Sequence, residues 1–121
     1  MFIRVKASFF LLTLAACFLV LSGQPGFAKE GAIEIIEKNV QFKSHDLLIR
    51  VGQTIRLKNN DPYMHMSQVR KLNKHGIETE IVGGGVEMPG TTQDIVIPNA
   101  GDYKLRCILH DGMVLNIKAS K

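Results

Sequence analysis

From Ala32 onward, apolar residues recur in short stretches with polar residues between them, and no long stretch repeats with a helical period. Thr54-Ile55-Arg56-Leu57-Lys58 alternates cleanly, which puts its apolar side chains on one face of a half-buried strand. Similar alternation, or a short β-branched run, marks Ala32 to Ile36, Leu47 to Val51, Met66 to Leu72, Ile77 to Val82, Asp94 to Ile97, Tyr103 to Ile108 and Val114 to Ala119. Between them stand Gly52, Asn59-Asn60-Asp61-Pro62, Gly83-Gly84-Gly85, Pro89-Gly90, Pro98-Asn99-Ala100-Gly101 and Asp111-Gly112. These residue types supply the dihedrals that turns need. Seven or eight short strands at this spacing predict an all-β sandwich or barrel. Ile33 to Val40 also reads as a short helix, and Gly83 to Gly90 reads as a mobile loop.

The first 28 residues follow a different pattern. Arg4 and Lys6 precede an almost unbroken apolar run from Phe9 to Leu21, Pro25 follows it, and Gly26-Phe27-Ala28 ends in small residues at the positions a signal peptidase reads. This predicts a secretory signal peptide over residues 1–28, too short and wrongly flanked for a spanning helix, and one domain over residues 29–121. Leu14-Ala15-Ala16-Cys17 resembles a lipoprotein box, but Phe18-Leu19-Val20-Leu21 continues the apolar run past the cysteine, so lipid anchoring at Cys17 is the minor alternative. Removing the leader takes away two positive charges and no acid, which lowers the net charge from +4 to +2. No block of like charge reads as a nucleic-acid arm. The expected location is periplasmic. One cysteine, Cys107, remains, so no internal disulfide is available to an exported domain. Its thiol must be buried, paired with another chain or bound to metal.

That cysteine begins the cluster Cys107-Ile108-Leu109-His110-Asp111-Gly112-Met113, in which thiol, imidazole and thioether follow at three-residue steps. Two His, one Cys and a distant axial Met make a blue-copper electron-transfer site, and the cluster holds three of those four groups. The strand Tyr103 to Arg106 enters it and Val114 begins the next, so His110 is expected in a tight loop with Cys107 and Met113 at its edges. A different strand should supply the fourth ligand and so tie the sandwich together. His65 is the candidate: it follows the turn Asn60-Asp61-Pro62, and a Greek-key connection can bring it to Cys107. Each residue also has a plainer reading. Cys107 alone is a small buried hydrophobe, His110 a surface loop residue, Met113 a core residue, and His65 a turn residue beside the core-filling Met64 and Met66. His45 and His75 read as solvated, and Tyr103 as packing with its hydroxyl near the surface. Asp111 and Glu87 offer oxygen, which a soft site disfavours. Zinc suits Cys and His but not a trailing Met. No nucleophile–base–orienter set is evident, and Gly83-Gly84-Gly85 lacks the lysine and the strand-to-helix context of a phosphate loop.

The chain resembles the cupredoxins, the small blue copper proteins that include plastocyanin, pseudoazurin and amicyanin. Cys-x-x-His-x-x-Met from Cys107 to Met113 is similar to the pseudoazurin and amicyanin branch. Leu47 to Ile55 resembles the family's strand–Gly–strand segment, Asn60 to His65 its Asn-Asp-x-x-x-His turn, and Ala100 to Cys107 its Gly-x-Tyr-x-x-x-Cys approach. Two positions depart from the pattern: Met66 stands where the family commonly has Asn, and Leu115 where Gly often follows the axial Met. The resemblance implies a two-sheet Greek-key sandwich and one copper ion held by His65, Cys107, His110 and Met113. It also implies single-electron transfer, with no enzymatic activity, between redox proteins such as a cytochrome c or a periplasmic dehydrogenase or oxidase. These would dock on an apolar patch of Ile108, Leu109 and Met113 beside His110. A monomer is expected, without nucleic acid or membrane span. A copper-delivery protein using Met64 and Met66 to favour Cu(I) is the alternative, and a metal-free sandwich dimerising through Cys107 is a third.

Overall fold

A computed structural model describes residues 31–121, so the expected signal peptide and Cys17 lie outside the described residues. Nine strands are present among them: β1 (Ile33–Lys38), β2 (Gln41–Lys43), β3 (Leu47–Arg50), β4 (Thr54–Asn59), β5 (His65–Leu72), β6 (Glu78–Glu87), β7 (Thr92–Val96), β8 (Gly101–Cys107) and β9 (Val114–Ser120). They form two sheets, in the orders β2-β1-β4-β7 and β3-β9-β8-β5-β6. β1 with β4 and β3 with β9 run parallel, and the other neighbours run antiparallel. The inner faces alternate as period-2 patterning requires. Ile35, Ile55, Leu57 and Ile95 pack from the first sheet against Val69, Leu105, Leu115 and Ile117 of the second. Tyr103 is buried as expected, and its hydroxyl donates to Asn99 O at 2.7 Å.

Two elements differ from the sequence expectation, and one open reading is settled. Ile33 to Lys38 is the strand of its two readings and not the helix, because pairing with β4 fixes it extended. β2 has only three residues, too few to show a period, and joins β1 through a two-residue turn in which Asn39 (φ 54°) and Val40 (φ 57°) are both left-handed. Gly83 to Glu87 continues strand β6 instead of forming a loop. The glycines are there for proximity: a Cβ on Gly83 would lie 2.7 Å from Ile95 Cγ2, and one on Gly84 would collide with the backbone oxygen of Ser67. Small residues thus let β6 close over β5 and toward the first sheet.

Candidate metal centre

Register and pleat bring the candidate ligands together. β5 and β8 pair antiparallel with Ser67 opposite Cys107. His65, Ser67, Cys107, Leu105 and Tyr103 all face inward and are buried. His65 lies two residues beyond Ser67 on the same inner face, so its imidazole stands beside the Cys107 sulfur at one end of the sheet. The segment 108–112 then turns back over that end. Cys107 N donates to Met113 O at 3.0 Å, and Met113 N to His110 O at 3.3 Å, so the loop is closed on itself. Gly112 sits at φ 80°, where a residue with a Cβ is strained.

The three donor atoms form a near-equilateral triangle. His65 Nδ1 is 3.2 Å from His110 Nδ1 and 3.7 Å from Cys107 Sγ, and His110 Nδ1 is 3.3 Å from the same sulfur. The point equidistant from them lies about 2.0 Å from each, against about 2.0–2.1 Å for ordinary metal–nitrogen bonds and about 2.3 Å for metal–sulfur bonds. Among the described residues this is the one cluster of three such groups. A thiol and two imidazoles, soft and borderline donors in a trigonal arrangement, fit copper. Met113 is buried at the base of the same loop, its carbonyl bonded to Cys107 N, and this burial removes it from the expected docking patch. Ile108 and Leu109 are exposed beside His110, which is half-buried.

Several residues that support the site had no expected role. Asp61, 4 % exposed, accepts from His65 Nε2 at 2.9 Å and from the backbone N–H groups of Asn39 (2.6 Å) and Val40 (2.9 Å). A carboxylate only accepts, so it fixes the proton of His65 on Nε2 and leaves the Nδ1 lone pair facing Cys107 and His110. Burial pushes the Asp61 carboxyl up, but Val40 N–H, the His65 imidazole and Asn39 N–H together hold it below its usual range. Asn59, fully buried, donates to Tyr63 O at 2.7 Å and Glu87 O at 2.9 Å and accepts from Asp61 N. Glu37 accepts from Ser67 Oγ at 2.8 Å, and Glu87 from Ser67 N at 3.2 Å. A buried polar layer therefore lines the site end of the sandwich.

Two expectations need correction. His65 and Cys107 lie on neighbouring strands of one sheet, so the ligands themselves do not join the two sheets. That join runs through Asp61 and Glu37 to β1 and its turn. An acid–imidazole–thiol line, Asp61–His65–Cys107, does exist, contrary to the expectation of no such set. Cys107 is 2 % exposed and faces two imidazoles, which denies an external substrate access to its sulfur. The remaining candidates fall outside the cluster. His45, His75 and Asp111 are exposed, and Glu87 turns into the polar layer. Met66, at the position that departs from the family pattern, contributes its backbone: Ile108 N donates to Met66 O at 2.9 Å and joins the two ligand segments there.

Solved structures share this arrangement of strands. Amicyanin from Paracoccus versutus aligns with a TM-score of 0.60 over 74 % of this chain and 81 % of its own, at 18 % identity. The oxidised state of a proline-to-alanine mutant of amicyanin gives 0.61 over 74 % and 83 %, at 19 % identity. The chain has the cupredoxin fold. A purple cupredoxin from Nitrosopumilus maritimus aligns at 0.59, with 22 % identity over 73 % of this chain and 99 % of that one, so the cupredoxin fold accounts for almost the whole of that protein. No protein-family model matches the chain, and neither does any curated protein sequence.

Proposed function

We propose that this protein is a type 1 copper protein that carries single electrons between redox proteins, with His65, Cys107, His110 and Met113 as ligands. The observation that carries the reading is the triangle of His65 Nδ1, His110 Nδ1 and Cys107 Sγ, already at metal-binding separation inside a cupredoxin fold. Bound copper supplies a one-electron couple. The protein's part is to hold the donors still. Asp61 fixes the His65 ring and its tautomer, the Met113 and His110 carbonyls close the ligand loop, and Ile108 N–H docks that loop on β5. A site held this firmly changes little between oxidation states, which keeps reorganisation small. Burial of Cys107 protects the sulfur from solvent and from disulfide exchange. Export through cleavage after Ala28 to a periplasmic location belongs to the same reading, and an electron carrier without enzymatic activity follows from it.

The test is Cu(II) titration followed by visible absorption and EPR. An intense thiolate-to-copper band with small hyperfine splitting is expected, and it should vanish in Cys107→Ser. Binding without that band would favour copper delivery over electron transfer. Docking is tested at Leu109, 45 % exposed next to His110. Leu109→Ala should slow reduction by a partner protein and leave the band unchanged; equal kinetics would sink that surface as the docking face.

A further inference from the structure

The chain has five methionines; Met1 lies outside the described residues and Met113 is buried. The other three share one outer face. β5 and β6 pair with His65 opposite Glu87 and Met66 opposite Val86. Continuing that register by one residue sets Met64 opposite Met88, just past the end of the ladder. The pleat alternates there: His65, Ser67 and Glu87 are buried, whereas Met64 (41 %) and Met88 (53 %) are exposed and Met66 is half-exposed.

Directly opposed residues of an antiparallel pair have Cβ atoms about 4.5–5.5 Å apart, and diagonal neighbours about 7–8 Å. Met64 and Met88 are the next positions past the last ladder pair, His65–Glu87, and Met66 lies diagonal to Met88. Three unbranched side chains, each with three rotatable bonds, are long enough to reach across gaps of that size. Any aliphatic residue would make an apolar surface here, as Val86 does opposite Met66, but thioethers occupy the other three outward positions at this end. A thioether is a neutral soft donor that takes Cu(I) and disfavours hard divalent ions.

We propose that Met64, Met66 and Met88 form a second copper site, a surface site for Cu(I), distinct from the buried centre. Two of its donors flank His65, so the ion would sit on the outer face of the strand whose inner face holds the buried centre. Binding involves no redox step and no proton, since a thioether has none to lose.

Anaerobic titration of the protein with Cu(I) against a bicinchoninate competitor tests the proposal. Two bound equivalents are expected. The triple variant Met64→Leu, Met66→Leu, Met88→Leu should lose one equivalent and still give the oxidised charge-transfer band of the buried centre, which shows that it is folded. A triple variant that binds as many equivalents as its parent overturns the surface site. Cys107→Ser separates this proposal from the electron-carrier reading: it should keep the surface equivalent and lose the buried one. If Cys107→Ser binds as much as the parent, the buried-centre reading fails and the surface site stands. With ε-methyl-labelled methionine and Ag(I) as probe, the methyl signals of Met64, Met66 and Met88 should move together and saturate together. Movement of only one of them also overturns the three-sulfur site.

Discussion

Replacing Asp61 by alanine is expected to destabilise the folded protein by about 3 kcal/mol, since it strands three donors that the carboxylate now accepts. Two of those donors are the N–H groups of Asn39 and Val40, both held at positive φ. A β-branched residue in that conformation is costly, and the Asp61 carboxylate offsets the cost. The third is His65 Nε2. Without the acid its ring is free to rotate and to change tautomer, so copper affinity should fall together with stability. Denaturant unfolding of the apo protein reads the first effect, and Cu(II) titration the second. Asp61→Asn separates them: it keeps the shape and one acceptor, so most of the fold should survive. It also removes a negative charge behind a ligand, which should move the reduction potential to more positive values. A stability loss under about 1 kcal/mol in Asp61→Ala would mean that water replaces the carboxylate freely. The sign with pH is fixed too. The folded pKa is lowered, so this contribution is present above the unfolded value of 3.8 and is lost as pH falls through the lower folded value.

The candidate ligands were legible in the chain because three of them are close in sequence. Cys107, His110 and Met113 fall within one loop, and a loop of that length leaves few other arrangements for the donors. His65 was legible from its turn. The residues that position them were not, because their roles exist only in the register. Ser67 meets Cys107 and Glu87 meets His65 through strand pairing between segments far apart in sequence. Glu37 follows Ile35 on the inner face of β1 and is fully buried, a placement fixed by the strand pairing and not by any local signal. The strand pattern was clear where alternation ran five residues or more, as in β4, β8 and β9. It failed at β2, which is too short to alternate, and in β6, where glycines chosen for close approach look like a loop. In each case the signal lay in a tertiary contact and not in local propensity.

The polar layer behind the site also carries its own pH dependence, of opposite sign to that of Asp61. Glu87 is fully buried, and burial, with the neighbouring Glu37 charge adding to it, pushes its carboxyl from 4.5 to about 7. Glu37 is raised as well, by burial against the opposing pull of its bond from Ser67. Glu37 Oε2 and Glu87 Oε1 have no hydrogen-bond partner among the described residues, so the layer favours the protonated, neutral form. A raised carboxyl binds its proton more tightly folded than unfolded. Its contribution is therefore fully present below pH 4.5 and is lost as pH rises through about 7. Each tenfold gain in proton affinity on folding is worth about 1.4 kcal/mol, so the loss comes to about 3 kcal/mol once pH is well above 7. Glu87→Gln is neutral throughout and should remove most of that decline. Urea unfolding of apo parent and variant at about pH 5.5 and about pH 8.5 makes the comparison, and the difference between them cancels whatever the two proteins share. The parent should lose about 2–3 kcal/mol more than the variant over that interval. Equal losses would mean that Glu87 is ionised in the fold at both pH values, with its charge balanced locally. Because Asp61 fails toward acid and Glu87 toward base, stability should be greatest between them, in mildly acidic solution.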